Sequence, residues 1–447
     1  MAMHARSICL LALVCLAGLL SACAHAPAAE RMDLAIVGAT VIDPRRGVGH
    51  PDQTVLVDQG RIVAVGASDR VPVPAGTPRV EAAGRFLVPG LWDMHVHALW
   101  DPVVRTTFLP VFVANGVTGV RDMGGTLEVL SLVRDEQAAT DPPWPSVVAA
   151  GPVLDGPQPV DPSISLAIDS PDDARAAVAR LAAVPVDFIK VYTMLPAAAY
   201  RAVVEEAERH GLPVGGHIPH GVDVREAARG MRSVEHLRAE TGGLCAGLSS
   251  TECDAAYAAL REHDVWQTPT LVARRPRATG AEAAMEDDPR LAYVPAVLRE
   301  TWLANRARRL TLPAGEMQAK RMEFARERAD AAALPARGLH VLAGSDAGAD
   351  FAIPGFGLHD ELALLVDAGL TPAQALQGAT SEAADYLGRG DVGTVSPGAV
   401  ADLVLLDGDP LQDIGNTRRI RAVVLRGRWL DRPALDALLE GARAAAQ

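Results

Sequence analysis

Phe86-Leu87-Val88-Pro89-Gly90-Leu91-Trp92-Asp93-Met94-His95-Val96-His97 is the stretch whose reading decides the fold. It is an apolar β-type run that closes on two imidazoles at i and i+2, which an extended backbone places on one face. Working outward from it, short β runs alternate with helical sequence. The candidate strands are residues 86–97, 119–122, 146–150, 187–192, 213–217, 233–236, 266–271 and 340–346. Helical stretches such as 172–183, 197–210 and 360–368 follow most of them. Eight such units in about 300 residues predict an α/β fold, a parallel (β/α)8 TIM-like barrel. The sequence before it, residues 33–85, is all β, broken by glycines and prolines, and residues 401–406 and 421–425 read the same way. The expected organisation is a β-sandwich built from both ends of the mature chain, residues 31–88 and 389–432, beside a barrel at 89–388, with a C-terminal helix at 433–447. Residues 278–336, rich in Ala, Arg and Glu, are longer than one crossover needs and are expected to extend the rim of the site.

The first residues read as a targeting segment. A basic start (His4, Arg6) precedes an apolar run over 8–20, too short to span a membrane comfortably and suited to export. Leu20-Ser21-Ala22-Cys23 resembles a bacterial lipobox, with Cys23 acylated as the first mature residue; the alternative is an ordinary signal cleaved near Ala26. Residues 1–22 are thus expected to be a lipoprotein signal peptide and 23–30 a tether. Ala24 resembles the pattern sorted to the outer membrane. The expectation is an exported protein in the periplasm or at the outer membrane of a Gram-negative bacterium, touching the membrane only through its lipid. In an oxidising compartment Cys245 and Cys253 are expected to pair, a bridge worth roughly 2–3 kcal/mol.

Composition narrows the class. With 447 residues, 49% of them apolar and 22% charged, the chain is neither disordered, collagenous nor coiled coil. Its net charge of −13 argues against nucleic acid as a partner. Only two lysines, Lys190 and Lys320, stand among the 42 basic residues. Such usage raises the question of what an amine does that a guanidinium does not.

The ends of the strands carry the chemistry. The first closes on His95 and His97, the fourth holds Lys190, the fifth ends at His217, the sixth at His236 and the eighth at Asp346. Strand C-termini build the site in a parallel barrel. Imidazole and carboxylate are ligands that zinc favours. A buried ammonium beside two divalent cations would be repelled, but CO2 converts the Lys190 amine into an anionic carbamate that bridges them. Two Zn2+ and the carbamate of Lys190 are therefore the expected cofactors.

These residues resemble the amidohydrolase superfamily, in its imidazolonepropionase-like and prolidase-like branch. The resemblance runs from the 88–97 stretch through Gly344-Ser345-Asp346-Ala347, Leu358-His359-Asp360-Glu361-Leu362 and Leu370-Thr371-Pro372-Ala373-Gln374-Ala375-Leu376 to Pro397-Gly398-Ala399-Val400-Ala401-Asp402-Leu403-Val404. It implies His95, His97 and Asp346 on the more buried metal, His217 and His236 on the other, and modified Lys190 between them. A hydroxide bridging the two metals would be the nucleophile and Asp346 the proton carrier. Tyr192, two residues past Lys190 on the same face, is read either as a donor to the developing oxyanion or as a packed barrel tyrosine. Weaker candidates for substrate contact are His220, His359 and Arg274, the last for a carboxylate, with Arg275 beside it. Arg121 and Asp122 are expected to pair structurally, and Lys320 to lie on the surface.

The expected activity is hydrolysis of an amide in a dipeptide, an Xaa-Pro substrate or an N-acyl amino acid. Lactone or cyclic-amide hydrolysis at the same site is the alternative, and a silent binding lipoprotein a remote one. A mononuclear deaminase fits less well, because Ile218-Pro219-His220 occupies the stretch where such relatives keep a Glu. The partner is a small-molecule amide or peptide. Assembly as a homo-oligomer is left open.

Overall fold

The computed structural model describes residues 31–447 apart from 240, 241, 246 and 280–284. The expected signal peptide, the tether and Cys23 lie outside the described residues. No helix among the described residues is long and apolar enough to cross a membrane.

The 86–97 stretch forms two strands where one was expected. Phe86–Pro89 joins an outlying sheet and Leu91–Val96 a parallel one, with Gly90 at the turn between them. A Cβ on Gly90 would sit 2.1 Å from the Thr118 hydroxyl oxygen, so the chain changes sheets at a point where no side chain fits. The outlying sheet takes strands from both ends of the chain, in the order Arg428–Asp431, Ile420–Leu425, Leu403–Leu406, Phe86–Pro89, Leu34–Asp43, Val48–Asp58 and Arg61–Ala67. These strands form a sheet separate from the parallel ones, and its Arg61–Ala67 edge bridges back to Val400, just before Leu403–Leu406. Ile36, Val55, Leu87, Leu403 and Val424 share its apolar core.

The parallel strands are short, which their sequence explains. Each is a buried run of a few residues bounded by polar or glycine positions, and a helix returns the chain to the next strand. Leu91–Val96, Val117–Asp122 and Ser146–Ala149 pair in parallel. Ile189–Val191, Val214–Gly216, Ser233–Glu235 and Trp266–Thr268 form a second parallel series. The Asp187 amide donates to Ala149 O at 2.8 Å and links the two series on one side. On the other, residues 340–346 make only isolated bridges where a regular strand was expected. Val341 bridges Gln267, the Met94 amide donates to Ala343 O, and the Asp346 amide donates to His95 O. The chain is thus an α/β fold whose parallel sheets are consistent with a TIM-like barrel.

Helices such as Pro171–Ala182 and Ala197–His210 cover the strands. The first begins at a capping box in which Ser170 and Asp173 satisfy each other's backbone amides. The 278–336 stretch forms the end of Leu271–Thr279 and the longer helices Ala296–Leu310 and Ala314–Ala333. Cys245 and Cys253 are joined in a disulfide.

Candidate active site

Asp93, His95 and His97 occupy alternate positions at the end of their strand, while Trp92, Met94 and Val96 between them pack into apolar clusters. His95 Nε2 and His97 Nε2 lie 3.3 and 3.4 Å from one oxygen of Asp346. Asp346 is delivered by a fixed turn. Ser345 donates its amide and its hydroxyl to buried Asp93, at 2.8 and 2.5 Å, which ties the last segment to the first strand. Asp346 then takes a left-handed backbone, φ +56. His236 (φ +62) and Thr270 (φ +51) do the same, and a β-branched residue in that region is strained. Such strain costs about 1–3 kcal/mol per residue and clusters at functional sites.

His236 and His217 complete a ring of imidazoles. The centroid of His236 is 4.7 Å from that of His95 and 4.8 Å from that of His217, and Tyr192 stacks on His217 at 4.0 Å. The amine of Lys190, wholly buried, lies 5.7 Å from the Tyr192 ring centroid. Gly216 makes room for it, because a Cβ there would meet Val191 O at 2.2 Å and Lys190 Cδ at 3.0 Å.

All four histidines are held through Nδ1. His95 Nδ1 faces Glu235 at 2.9 Å and His97 Nδ1 faces Gly124 O at 3.1 Å. Both partners accept, so in these rings Nδ1 carries the proton and Nε2 a lone pair. His236 Nδ1 is 2.6 Å from Thr270 Oγ1, whose own hydrogen goes to Pro269 O, so this ring also donates. His217 Nδ1 is 2.8 Å from Thr193 Oγ1. Inside the ring, His95 Nε2, His217 Nε2 and Lys190 Nζ are buried without a hydrogen-bond partner. Burial pushes His95, His217 and His236 well below the usual imidazole range, with the Lys190 charge acting in the same direction on each. Burial likewise lowers Lys190 to about 8 and raises the Asp346 carboxyl. Neutral Nε2 atoms facing a carboxylate oxygen, with every far nitrogen anchored, are a donor set suited to divalent metal ions. His95, His97 and Asp346 bring ligand atoms within 4.8 Å of one another.

The supporting carboxylate, Glu235, escaped the sequence reading. It precedes His236 and receives Arg121 Nη2 at 2.9 and 3.0 Å as well as Ser233 Oγ at 2.7 Å. Arg121 also donates to Met94 O and to Tyr386 Oη. The expected Arg121–Asp122 pair is therefore corrected. Asp122 instead accepts the amides of Ala98, Leu99 and Gly124, and shapes the loop after His97.

Two substrate candidates prove to be occupied elsewhere. Arg274 is buried and bonded to Glu327 at 2.8 Å and Glu323 at 3.2 Å, so it is not free to bind a carboxylate. His359 is buried with Nδ1 on Thr417 Oγ1 and Nε2 on Asn115 O, both at 3.0 Å, which leaves no ring nitrogen for substrate. His220 is exposed on the loop past His217. Lys320, expected on the surface, lines a cavity together with Arg277.

Parallel α/β sheets that gather nitrogen and carboxylate ligands at their strand ends define a metal-site enzyme of the amidohydrolase type. Residues 86–430 match the model of the amidohydrolase family, and the chain belongs to that family. Among curated relatives, a dihydroorotase of Citrifermentans bemidjiense is 36% identical over 104 residues, 22% of this chain and 24% of the relative. The chain thus matches about a quarter of that relative's length. Among solved structures, a bottromycin amidohydrolase superposes with a TM-score of 0.75 at 28% identity, over 92% of this chain and 90% of that one. A Bifidobacterium longum chain described as a prolidase superposes with a TM-score of 0.73 at 24% identity, over 92% and 98%, which is a likeness of fold.

Proposed function

We propose that this chain hydrolyses an amide bond, in a dipeptide, an Xaa-Pro substrate or an N-acyl amino acid, at a centre of two divalent metal ions, zinc by preference. The observation that supports this most is the group of four imidazoles, each tied through Nδ1, with His95 Nε2, His217 Nε2 and the buried amine of Lys190 left without hydrogen-bond partners. His95, His97 and Asp346 would hold one ion, His217 and His236 the other, with Lys190 as a carbamate shared between them. Bound ions supply Lewis acidity to the scissile carbonyl and acidify water. Asp346 takes the proton of the attacking water on its carboxylate and delivers it to the leaving nitrogen. Burial, with the Asp346 charge, pushes the Tyr192 phenol up to about 12, so it stays protonated and donates to the carbonyl oxygen as charge develops there. Matches named dihydroorotase support a second reading, hydrolysis of a cyclic amide or lactone at the same site. Closure of the parallel strands into a (β/α)8 barrel, and export as a lipoprotein acylated at Cys23, belong to the same proposal.

The test loads the full chain with zinc and bicarbonate and follows release of primary amine from a panel of dipeptides and N-acyl amino acids. Amine release by the parent and not by Lys190→Arg is the expected result, with bound metal in the variant falling from about two ions per chain. A fully metallated, fully active Lys190→Arg overturns the carbamate. Silence across the panel with metal retained moves the reading to cyclic substrates.

A further inference from the structure

A cavity of about 980 Å³ is walled by the ribbon after His236, the helix Leu271–Thr279 and the helix Ala314–Ala333. A second hollow of about 220 Å³ shares Arg238, Arg277 and Lys320 with it. Six cationic and four anionic side chains line the larger cavity, an excess of positive charge in a chain whose net charge is −13. A local sign opposed to the global one is how a protein draws a charged ligand to one place.

Some of these charges are already matched. Arg238 pairs with Glu323 at 2.9 Å and Arg309 with Asp350 at 2.6 Å. Arg308 and Arg326 bond Asn305 Oδ1 at 3.0 Å and Met322 O at 3.3 Å, whereas Arg277 and Lys320 line both hollows. Among the described residues neither forms an ion pair, although Glu316 stands one helical turn before Lys320. Arg277 is an exposed residue whose guanidinium desolvation and the neighbouring Arg274 charge pull below its usual range, while the Asp346 and Asp350 charges act the other way. Its position joins it to the chemistry. Its helix starts next to Thr270, the partner of His236, and its charge is felt by both Asp346 and Tyr192. Lys320 also accounts for the second of the two lysines in an arginine-rich chain.

We infer that Arg277 and Lys320 form a dianion subsite that selects amides carrying two carboxylates, such as a dipeptide ending in Glu or Asp. The inference rests on the amide-hydrolase reading and deepens it. One cation takes the main-chain carboxylate and the other that of the side chain, and the remaining volume receives the rest of the substrate.

The test compares dipeptides with a common first residue and Glu, Gln or Glu α-amide at the second. The metal-loaded full chain should favour Glu over Gln by about tenfold in kcat/KM, chiefly through KM, and less so as salt rises. Arg277→Gln and Lys320→Gln should each abolish most of that ratio, while Arg277→Lys retains it. The α-amide arm separates the two carboxylates, because discrimination that survives amidation resides in the side chain. Equal kcat/KM for Glu and Gln in the parent, or an undiminished ratio in both Gln variants, overturns the subsite. If no dipeptide is cleaved, the functional reading fails and calorimetric binding of N-acetyl-L-glutamate against N-acetyl-L-glutamine decides the subsite alone. Tighter glutamate binding that is lost in Arg277→Gln supports it, and equal binding overturns it.

Discussion

Glu235→Gln preserves the size and planarity of a side chain on which two parts of the site depend. In the parent, the carboxylate accepts Arg121 at 2.9 and 3.0 Å, Ser233 Oγ at 2.7 Å and His95 Nδ1 at 2.9 Å, with Glu235, Arg121 and His95 fully buried. A neutral amide retains one acceptor oxygen. Its NH2 group must then confront either the guanidinium or the imidazole N–H, both of them donors. Breaking a buried ion pair from one side costs about 3–5 kcal/mol, because the remaining charge has no solvent to turn to. Loss of the carboxylate behind a ligating histidine weakens metal binding by about 10–100-fold. Urea unfolding of the metal-free chain measures the first effect and competition against a chelator the second. Adding Arg121→Met should return part of the loss, a coupling of about 2–3 kcal/mol in the double-mutant cycle. A Glu235→Gln protein within about 0.5 kcal/mol of the parent, with unchanged metal competition, would refute the reasoning.

Further expectations follow from groups outside the imidazole cluster. Burial lowers His359 from 6.5 to about 4, so the unfolded chain takes up the proton first. The stability this group confers is complete above pH 6.5 and is lost as pH falls toward 4, about 3 kcal/mol in all, so a His359→Gln variant should show a flatter acid limb in unfolding measured across that window. Arg274→Gln, which leaves buried Glu327 with Arg238 at 4.0 Å as its remaining cation, should lower unfolding free energy by about 3 kcal/mol, the lower end for a broken buried pair. Replacing both Cys245 and Cys253 by Ser should lower it by roughly 2–3 kcal/mol, read in the same titration.

The candidate ligands could be picked out in the sequence because their positions follow a short-range rule. Residues at i and i+2 of a strand share a face, and His95 and His97 need only that. Lys190 was visible through usage, as one of two lysines, and through its place on the fourth candidate strand. What stayed hidden depends on partners far along the chain. Glu235 is an ordinary acid until Arg121 and His95 close on it from another strand. Arg274 and Arg277 stand three residues apart on one helix, and only the position of Glu327 on a later helix determines which of them is neutralised. Residues 340–346 read as a strand from their apolar run, yet the turn that places Ser345 on Asp93 and Asp346 beside the histidines interrupts regular pairing. The 86–97 run hid its break because Gly90 is dictated by Thr118, a neighbour that no local pattern reveals.

The outlying sheet has a consequence for biosynthesis. Phe86–Pro89 finds its antiparallel partner in Leu403–Leu406, so an early strand waits for almost the whole chain before its edge is covered. Contacts of such long sequence separation form slowly, and an open strand edge invites pairing with other molecules. The closing strands therefore act as a clasp that only a finished polypeptide can fasten. A nascent or prematurely terminated chain exposes Leu87 and its neighbours to chaperones and proteases, which gives the cell a means of sorting complete molecules from incomplete ones.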